Sequence, residues 1–223
     1  MTVMNGSGLS AGGIPRHWFF DLDGTLARTG EDIVAAWKKS IADLGRECPR
    51  FDEVFSIGPT LDKVVYDLFD DATPELVAQM VERFRPNYDE SGFPCTEPYP
   101  GVPEWLAELK AAGARLYIVT NKRHAPTHGI VRKFGWDSLF DGVWSFDSFP
   151  GVKYKKPDLL AHLLQTLPAD PSDAVMVGDT KGDIDAGKAN GMRTIGVTWG
   201  YGSRDELAGA DELAEERGGV CRM

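Results

Sequence analysis

Asp21-Leu22-Asp23-Gly24-Thr25 sets two carboxylates one residue apart, directly after the apolar run Trp18-Phe19-Phe20. A short apolar run bounded by turn residues reads as a buried strand. Side chains at i and i+2 of an extended segment point the same way, so Asp21 and Asp23 can face one reacting centre. Gly24 permits a sharp turn and offers its amide to an incoming anion. Two acids held together repel unless a cation or a shared proton relieves them. Such a pair suits chemistry with a metal and an anionic substrate. A lone Asp-x-Asp is also a common polar end to a strand, so the stretch gains weight only from company elsewhere in the chain.

That company exists. The apolar run Leu116-Tyr117-Ile118-Val119 ends in Thr120-Asn121-Lys122, a hydroxyl, an amide and a cation. Ala174-Val175-Met176-Val177 ends in Gly178-Asp179-Thr180-Lys181-Gly182-Asp183, and Lys155-Lys156-Pro157 precedes a further apolar helix pattern. Taken singly these are a cap, a solvated turn and an ordinary loop. Taken together, each falls at a strand exit or a helix start, which is where open parallel sheets keep their sites.

The elements that must position these groups follow from periodicity. Helices are expected over residues 31–45, from about 59 to 69, and over 74–84, so that the chain between roughly Ala27 and Pro94 reads as wholly helical. Beyond Pro98-Tyr99-Pro100-Gly101 the pattern alternates. Helices are expected at 102–112, 126–134, 157–167 and 183–189, and strands at 115–120, 142–146, 174–177 and 194–198. A short acidic helix near 206–216 closes the series. Alternation of this kind indicates a parallel sheet covered on both faces. The opening strand has no sheet to join unless it belongs with this second part. The expected fold is therefore an α/β, doubly wound (Rossmann-like) parallel-sheet core with an inserted helical domain. Its divisions are a flexible lead over 1–15, a core made of 16–26 and 96–223, and a helical insertion over 27–95.

Composition narrows the function. The chain of 223 residues has 34 acidic against 24 basic residues, a formal net charge of −10, which argues against a nucleic-acid partner. No apolar run approaches the length of a membrane span, so no membrane partner is expected. Cys48, Cys95 and Cys221 have no metal-ligand spacing and suit a reducing compartment. The first fifteen residues lack the basic start and apolar stretch of a signal peptide. The expected location is cytoplasmic.

The four motifs Asp21-Leu22-Asp23-Gly24-Thr25, Thr120-Asn121, Lys156-Pro157 and Gly178-Asp179-x-x-x-Asp183 resemble those of the haloacid dehalogenase-like hydrolase superfamily. The likeness runs from Trp18 to about Gly202. The size of the insertion and Ile57-Gly58-Pro59-Thr60-Leu61 look most like the phosphoglycolate phosphatase-like branch, whose insertion is a small helical cap. The resemblance implies a Mg²⁺-dependent hydrolase of small phosphorylated metabolites. Asp21 would be the nucleophile that forms an aspartyl-phosphate, and Asp23 the acid and base. Dehalogenases of the superfamily lack an acid at the second position, so Asp23 favours phosphoryl transfer. Mg²⁺ would bind Asp21, the backbone carbonyl of Asp23, Asp179 and Asp183. Thr120, the Asn121 amide and Lys156 would hold the phosphoryl oxygens, with Lys156 also steadying Asp21.

Phosphoglycolate leads among the substrates. A 5′-nucleotidase, a sugar-phosphate phosphatase, a pyrophosphatase and a phosphomutase use the same residues equally well. A catalytically silent binding module is the alternative outside enzymes. Surface or capping roles are expected for His17, His124, His128 and His162, and solvated loop charges for Lys122, Arg123 and Lys155. Lys181 is expected to tune the neighbouring carboxylates. The loop Trp199-Gly200-Tyr201-Gly202 is expected to serve structure first and site closure second.

Overall fold

The computed structural model describes residues 14–215. Most of the expected lead, Cys221 and the end of the expected acidic helix lie outside these residues. The chain runs through β1 (His17–Phe20), β2 (Ala27–Arg28), α1 (Gly30–Asp43), α2 (Phe51–Val54), α3 (Leu61–Leu68), α4 (Pro74–Asp89) and β3 (Glu97–Pro98). It continues through α5 (Val102–Ala111), β4 (Arg115–Thr120), α6 (His124–Lys133), β5 (Gly142–Ser145), α7 (Lys156–Thr166) and β6 (Ala174–Gly178). It ends with α8 (Lys181–Ala189), β7 (Arg193–Val197) and β8 (Glu212–Ala214).

The main sheet has the order β5-β4-β1-β6-β7-β8, and each of its strand pairs is parallel. The opening strand thus lies at the centre, between β4 and β6. Its residues alternate between two cores, as a strand buried on both faces requires. Trp18 and Phe20 join Trp105, Leu106 and Ile130 from α5 and α6 on one face. Phe19 joins Leu159, Leu160, Leu163 and Ala186 from α7 and α8 on the other. Trp105 meets Trp18 and Phe20 edge-on at 5.7 and 5.2 Å, a geometry that contributes about 0.5–1.5 kcal/mol per pair beyond area burial.

The segment between β2 and β3 packs as its own helical layer, continuous with the first core. Trp37 of α1 stacks on Phe84 of α4 at 4.4 Å. Thr73 caps α4 by accepting the Leu76 N–H, and Pro74 takes the first helical position, where its missing N–H is harmless. α4 runs past the expected end at 84 and through Pro86 as far as Asp89. Tyr88 explains the extension: it is buried between Phe84 and Phe93, and that packing outweighs the backbone bond lost at Pro86.

Two expectations are corrected. The stretch from Ala27 to Pro94 is not wholly helical, because Ala27 and Arg28 form β2 and pair antiparallel with Pro98 and Glu97 of β3. An Arg28–Glu97 ion pair of 2.9 Å closes this ribbon where the chain leaves and re-enters the core. The acidic helix near 206–216 is also absent from the described residues. Turns occupy 204–210, and β8 then adds to the edge of the sheet. Only Leu207 of the turn segment is buried, so a helix there would have no apolar stripe to hold it. Asp211 instead accepts the N–H and hydroxyl of Thr194, which fixes the chain in register beside β7.

Candidate active site

β1, β4 and β6 lie side by side, with Phe20 opposite both Ile118 and Val177. This register brings the chain after Phe20, after Val119 and after Val177 out at one edge of the sheet. Asp21 stays in the ladder through its N–H to the Val177 carbonyl, 2.9 Å. Gly24 follows at φ +82°, in the left-handed region, and a Cβ there would lie 2.1 Å from Asp179 Oδ2. Only glycine permits both that turn and that approach.

Lys156, the first residue of α7, reaches from the neighbouring layer into this edge. Its ammonium donates to Asp21 Oδ1 at 2.7 Å and to Asp183 Oδ1 at 2.5 Å. Asp183 is held from its other side by α8, where Thr180 donates its N–H and hydroxyl to Oδ2 in a capping box. Asp179 accepts the Thr25 hydroxyl at 3.1 Å and the Tyr201 N–H at 2.7 Å. Each of Asp21, Asp179 and Asp183 offers an oxygen within 4.8 Å of the others, and all three are buried. Burial pushes the Asp21 carboxyl up to about 7; Lys156 opposes this, and repulsion from Asp183, Asp179 and Asp23 adds to it. Burial and the Asp183 charge raise Asp179 to about 6. Burial also works against the Lys156 ammonium, but Asp183 and Asp21 outweigh it and hold that group firmly protonated.

Asp23 stands outside this trio. Lys122 Nζ donates to both its oxygens, at 3.0 and 3.1 Å, and lies 4.4 Å above the Tyr88 ring. Four carboxyl groups therefore face two ammonium groups among the described residues, so their full ionisation would leave a charge deficit of two. A hard divalent cation with oxygen ligands fits both that deficit and that donor set. Thr120 ends β4 buried, its hydroxyl accepting the Lys122 N–H at 3.2 Å, and Asn121 follows exposed at the same strand exit.

Several charged residues behave differently from expectation. Lys122 is not a solvated loop charge, for its side chain is only 6% exposed. Arg123 is likewise drawn inward, in a two-pronged pair with Asp89 at the end of α4. Lys181 turns away from the carboxylates to an exposed pair with Asp185, one helical turn on. His17 is buried in β1 beside the Tyr117 hydroxyl rather than on the surface. The residues that sequence reasoning missed are Lys122, as the partner of Asp23, and Tyr88, whereas Tyr201 lies in the loop expected to serve structure first and site closure second. Lys122 carried a local signal, since it directly follows Thr120-Asn121. Tyr88 carried none, because tertiary packing alone brings it here.

This site, on this sheet, defines the class. Residues 18–197 match the family described as haloacid dehalogenase-like hydrolase, and the chain belongs to that family. Among its relatives is the tyrosine-protein kinase PtkA of Mycobacterium tuberculosis, 32% identical over 197 residues. That alignment covers 88% of this chain but 66% of the kinase, a little under two thirds of its length. A phosphoglycolate phosphatase of Aquifex aeolicus is 35% identical over 187 residues, covering 82% of this chain and 84% of that protein. The crystal structure of a predicted phosphoglycolate phosphatase from Haemophilus somnus superposes with a TM-score of 0.78 at 26% identity, covering 89% of this chain and 92% of that one.

Proposed function

We propose that the protein is a cytoplasmic, Mg²⁺-dependent phosphatase of small-molecule phosphate monoesters, working through an aspartyl-phosphate. The helical segment over 27–95 would be its cap. The observation that carries this reading is the grip of Lys156 on Asp21 within a buried trio of carboxylates. Phosphatases among the relatives support the activity. Two unpaired cysteines, Cys48 and Cys95, support the location, since free thiols suit a reducing compartment.

In this mechanism an oxygen of Asp21 attacks phosphorus and the bond to the leaving oxygen breaks. Asp23 gives that oxygen its proton. The same carboxylate then takes a proton from water, whose oxygen attacks phosphorus and frees Asp21 and phosphate. This splits one hard displacement into two easier ones. Lys156 orients Asp21 and offsets charge on the phosphoryl oxygens, which Thr120 and the Asn121 amide would hold. Lys122 holds both oxygens of the acid, and the Tyr88 ring packs against its ammonium. Asp21, the Asp23 carbonyl, Asp179 and Asp183 would hold Mg²⁺, which when bound supplies the positive charge that lets a dianionic phosphate approach.

Phosphate release should be measured with Mg²⁺ across phosphoglycolate, nucleotides, sugar phosphates and pyrophosphate. An EDTA-sensitive preference is expected, and Asp21→Asn should reduce it by about 10⁴-fold or more while leaving the fold intact. The kinase among the relatives favours a second reading, in which a hydroxyl rather than water accepts the phosphoryl group. A kinase or a mutase would show phosphoryl transfer without net phosphate release. Folded, metal-loaded protein that does neither would be a binding module.

A further inference from the structure

The four N–H groups that open a helix need acceptors from outside it. In α1 the local candidate fails to provide one: Thr29 makes no side-chain cap, and its hydroxyl is buried without a partner. The acceptor comes instead from Tyr201, in the loop after β7. Its phenol oxygen takes the N–H of Thr29 at 2.8 Å and of Gly30 at 2.7 Å. The main chain of the same residue donates to Asp179 Oδ2 at 2.7 Å. One residue therefore joins a carboxylate of the candidate metal site to the first turn of the helical segment.

The neighbouring contacts make this joint stiff. Trp199 Nε1 donates to the Thr25 carbonyl at 3.0 Å, which pins the loop to the turn after Asp23. Tyr99, on the return crossing, lies against Trp199 of the same loop, with ring centroids 6.4 Å apart. Asp32, in the first turn of α1, is buried and accepts the Cys95 N–H and the Thr96 hydroxyl. Both crossings between core and helical segment are thus tied to the first turn of α1, and that turn is tied to Tyr201.

We propose that Tyr201 is a positioning residue that couples Asp179 to the start of α1, so that filling the metal site tightens the helical segment on the core. The proposal rests on the Mg²⁺ reading of the site. Ordering the Asp179 carboxylate orders the Tyr201 main chain, and with it the phenol that caps α1. Coupling of this kind is reciprocal, so loosening α1 must also weaken the metal.

Hydrogen exchange at the Thr29 and Gly30 amides, with and without Mg²⁺, tests this in the full chain, alongside the thermal shift on adding Mg²⁺. Tyr201→Phe removes the acceptor and keeps the main-chain bond to Asp179. In the wild type Mg²⁺ should raise the melting temperature and slow exchange at the two amides about fivefold, the equivalent of one ordinary hydrogen bond. In Tyr201→Phe the thermal shift should persist, the slowing at 29–30 should vanish, and apparent Mg²⁺ affinity should fall by a similar factor. Gly30→Ala approaches from the other side, since its Cβ would lie 3.1 Å from the phenol oxygen and 2.9 Å from Ile57 Cδ1. It should reduce the slowing with Tyr201 intact. Equal Mg²⁺-dependent slowing in wild type and Tyr201→Phe overturns the coupling, as does a wild type that gains thermal stability with no change at 29–30. A wild type with no thermal response to Mg²⁺ overturns the metal reading itself, and the coupling with it.

Discussion

Asp179 shows what it costs to bury a carboxyl beside other carboxyls. Its carboxyl is fully buried and raised to about 6 by burial and by the Asp183 charge, against an ordinary value of 3.8. A carboxyl raised in the folded state destabilises it when ionised. The full effect is present above about pH 6 and fades as pH falls toward the unfolded value near 4. At neutral pH it amounts to a few kcal/mol, since each tenfold change in proton affinity is worth about 1.4 kcal/mol. Asp179→Asn keeps an acceptor for the Tyr201 N–H and can turn its amide to the Thr25 hydroxyl. Without metal, Asp179→Asn should therefore unfold at a higher temperature than the wild type near pH 7.5, and the difference should shrink as pH falls to about 4.5. With Mg²⁺ the order should reverse, because the variant loses a ligand. Thermal melts across pH, with EDTA and with Mg²⁺, decide this; a variant less stable than the wild type in EDTA would contradict the charge argument.

At the scale of elements, α4 and the loop after β4 meet through two side chains that follow Thr120-Asn121. Lys122 packs on Tyr88 and Arg123 grips Asp89, all within the last turn of α4. The Arg123 and Asp89 side chains are 15% and 20% exposed, so the pair is better shielded than a surface ion pair. A double-mutant cycle of Arg123→Ala and Asp89→Ala should give a coupling of about 1–2 kcal/mol in thermal or denaturant unfolding. Additive effects would show that this contact does not hold α4 to the core. Here the sequence was least legible. Asp21, Asp179 and Asp183 stand out because each lies one to five residues after the end of an apolar strand, and strand exits are local patterns. Lys122 and Arg123 look like solvated charges until α4 runs past Pro86 and covers them. The expected acidic helix failed for a related reason. Nothing local marks Glu212–Ala214 as a strand, and only β7, with Thr194 bonded to Asp211, makes it one.

Across the whole molecule, the doubly wound sheet was legible because its central strands β4, β1 and β6 carry apolar runs and amphipathic helices separate them in sequence. The central position of β1 agrees with the family resemblance and places its two acids between the exits of β4 and β6. What could not be seen was how the helical segment is fastened: by the β2–β3 ribbon, by Asp32, by Arg123 and by Tyr201. These ties surround the candidate site, and a segment so fastened can exclude water from a reactive phosphoryl group, as lids commonly do. The central claim is nonetheless about one atom pair, an oxygen of Asp21 and phosphorus. It is tested most directly by acid-quenching the protein during Mg²⁺-dependent turnover and weighing its peptides. The expected result is one added phosphoryl group on the peptide that contains Asp21, absent with EDTA and absent in Asp21→Asn. Phosphate release from the wild type that continues undiminished in Asp21→Asn, with no phosphoryl group on that peptide, would contradict it.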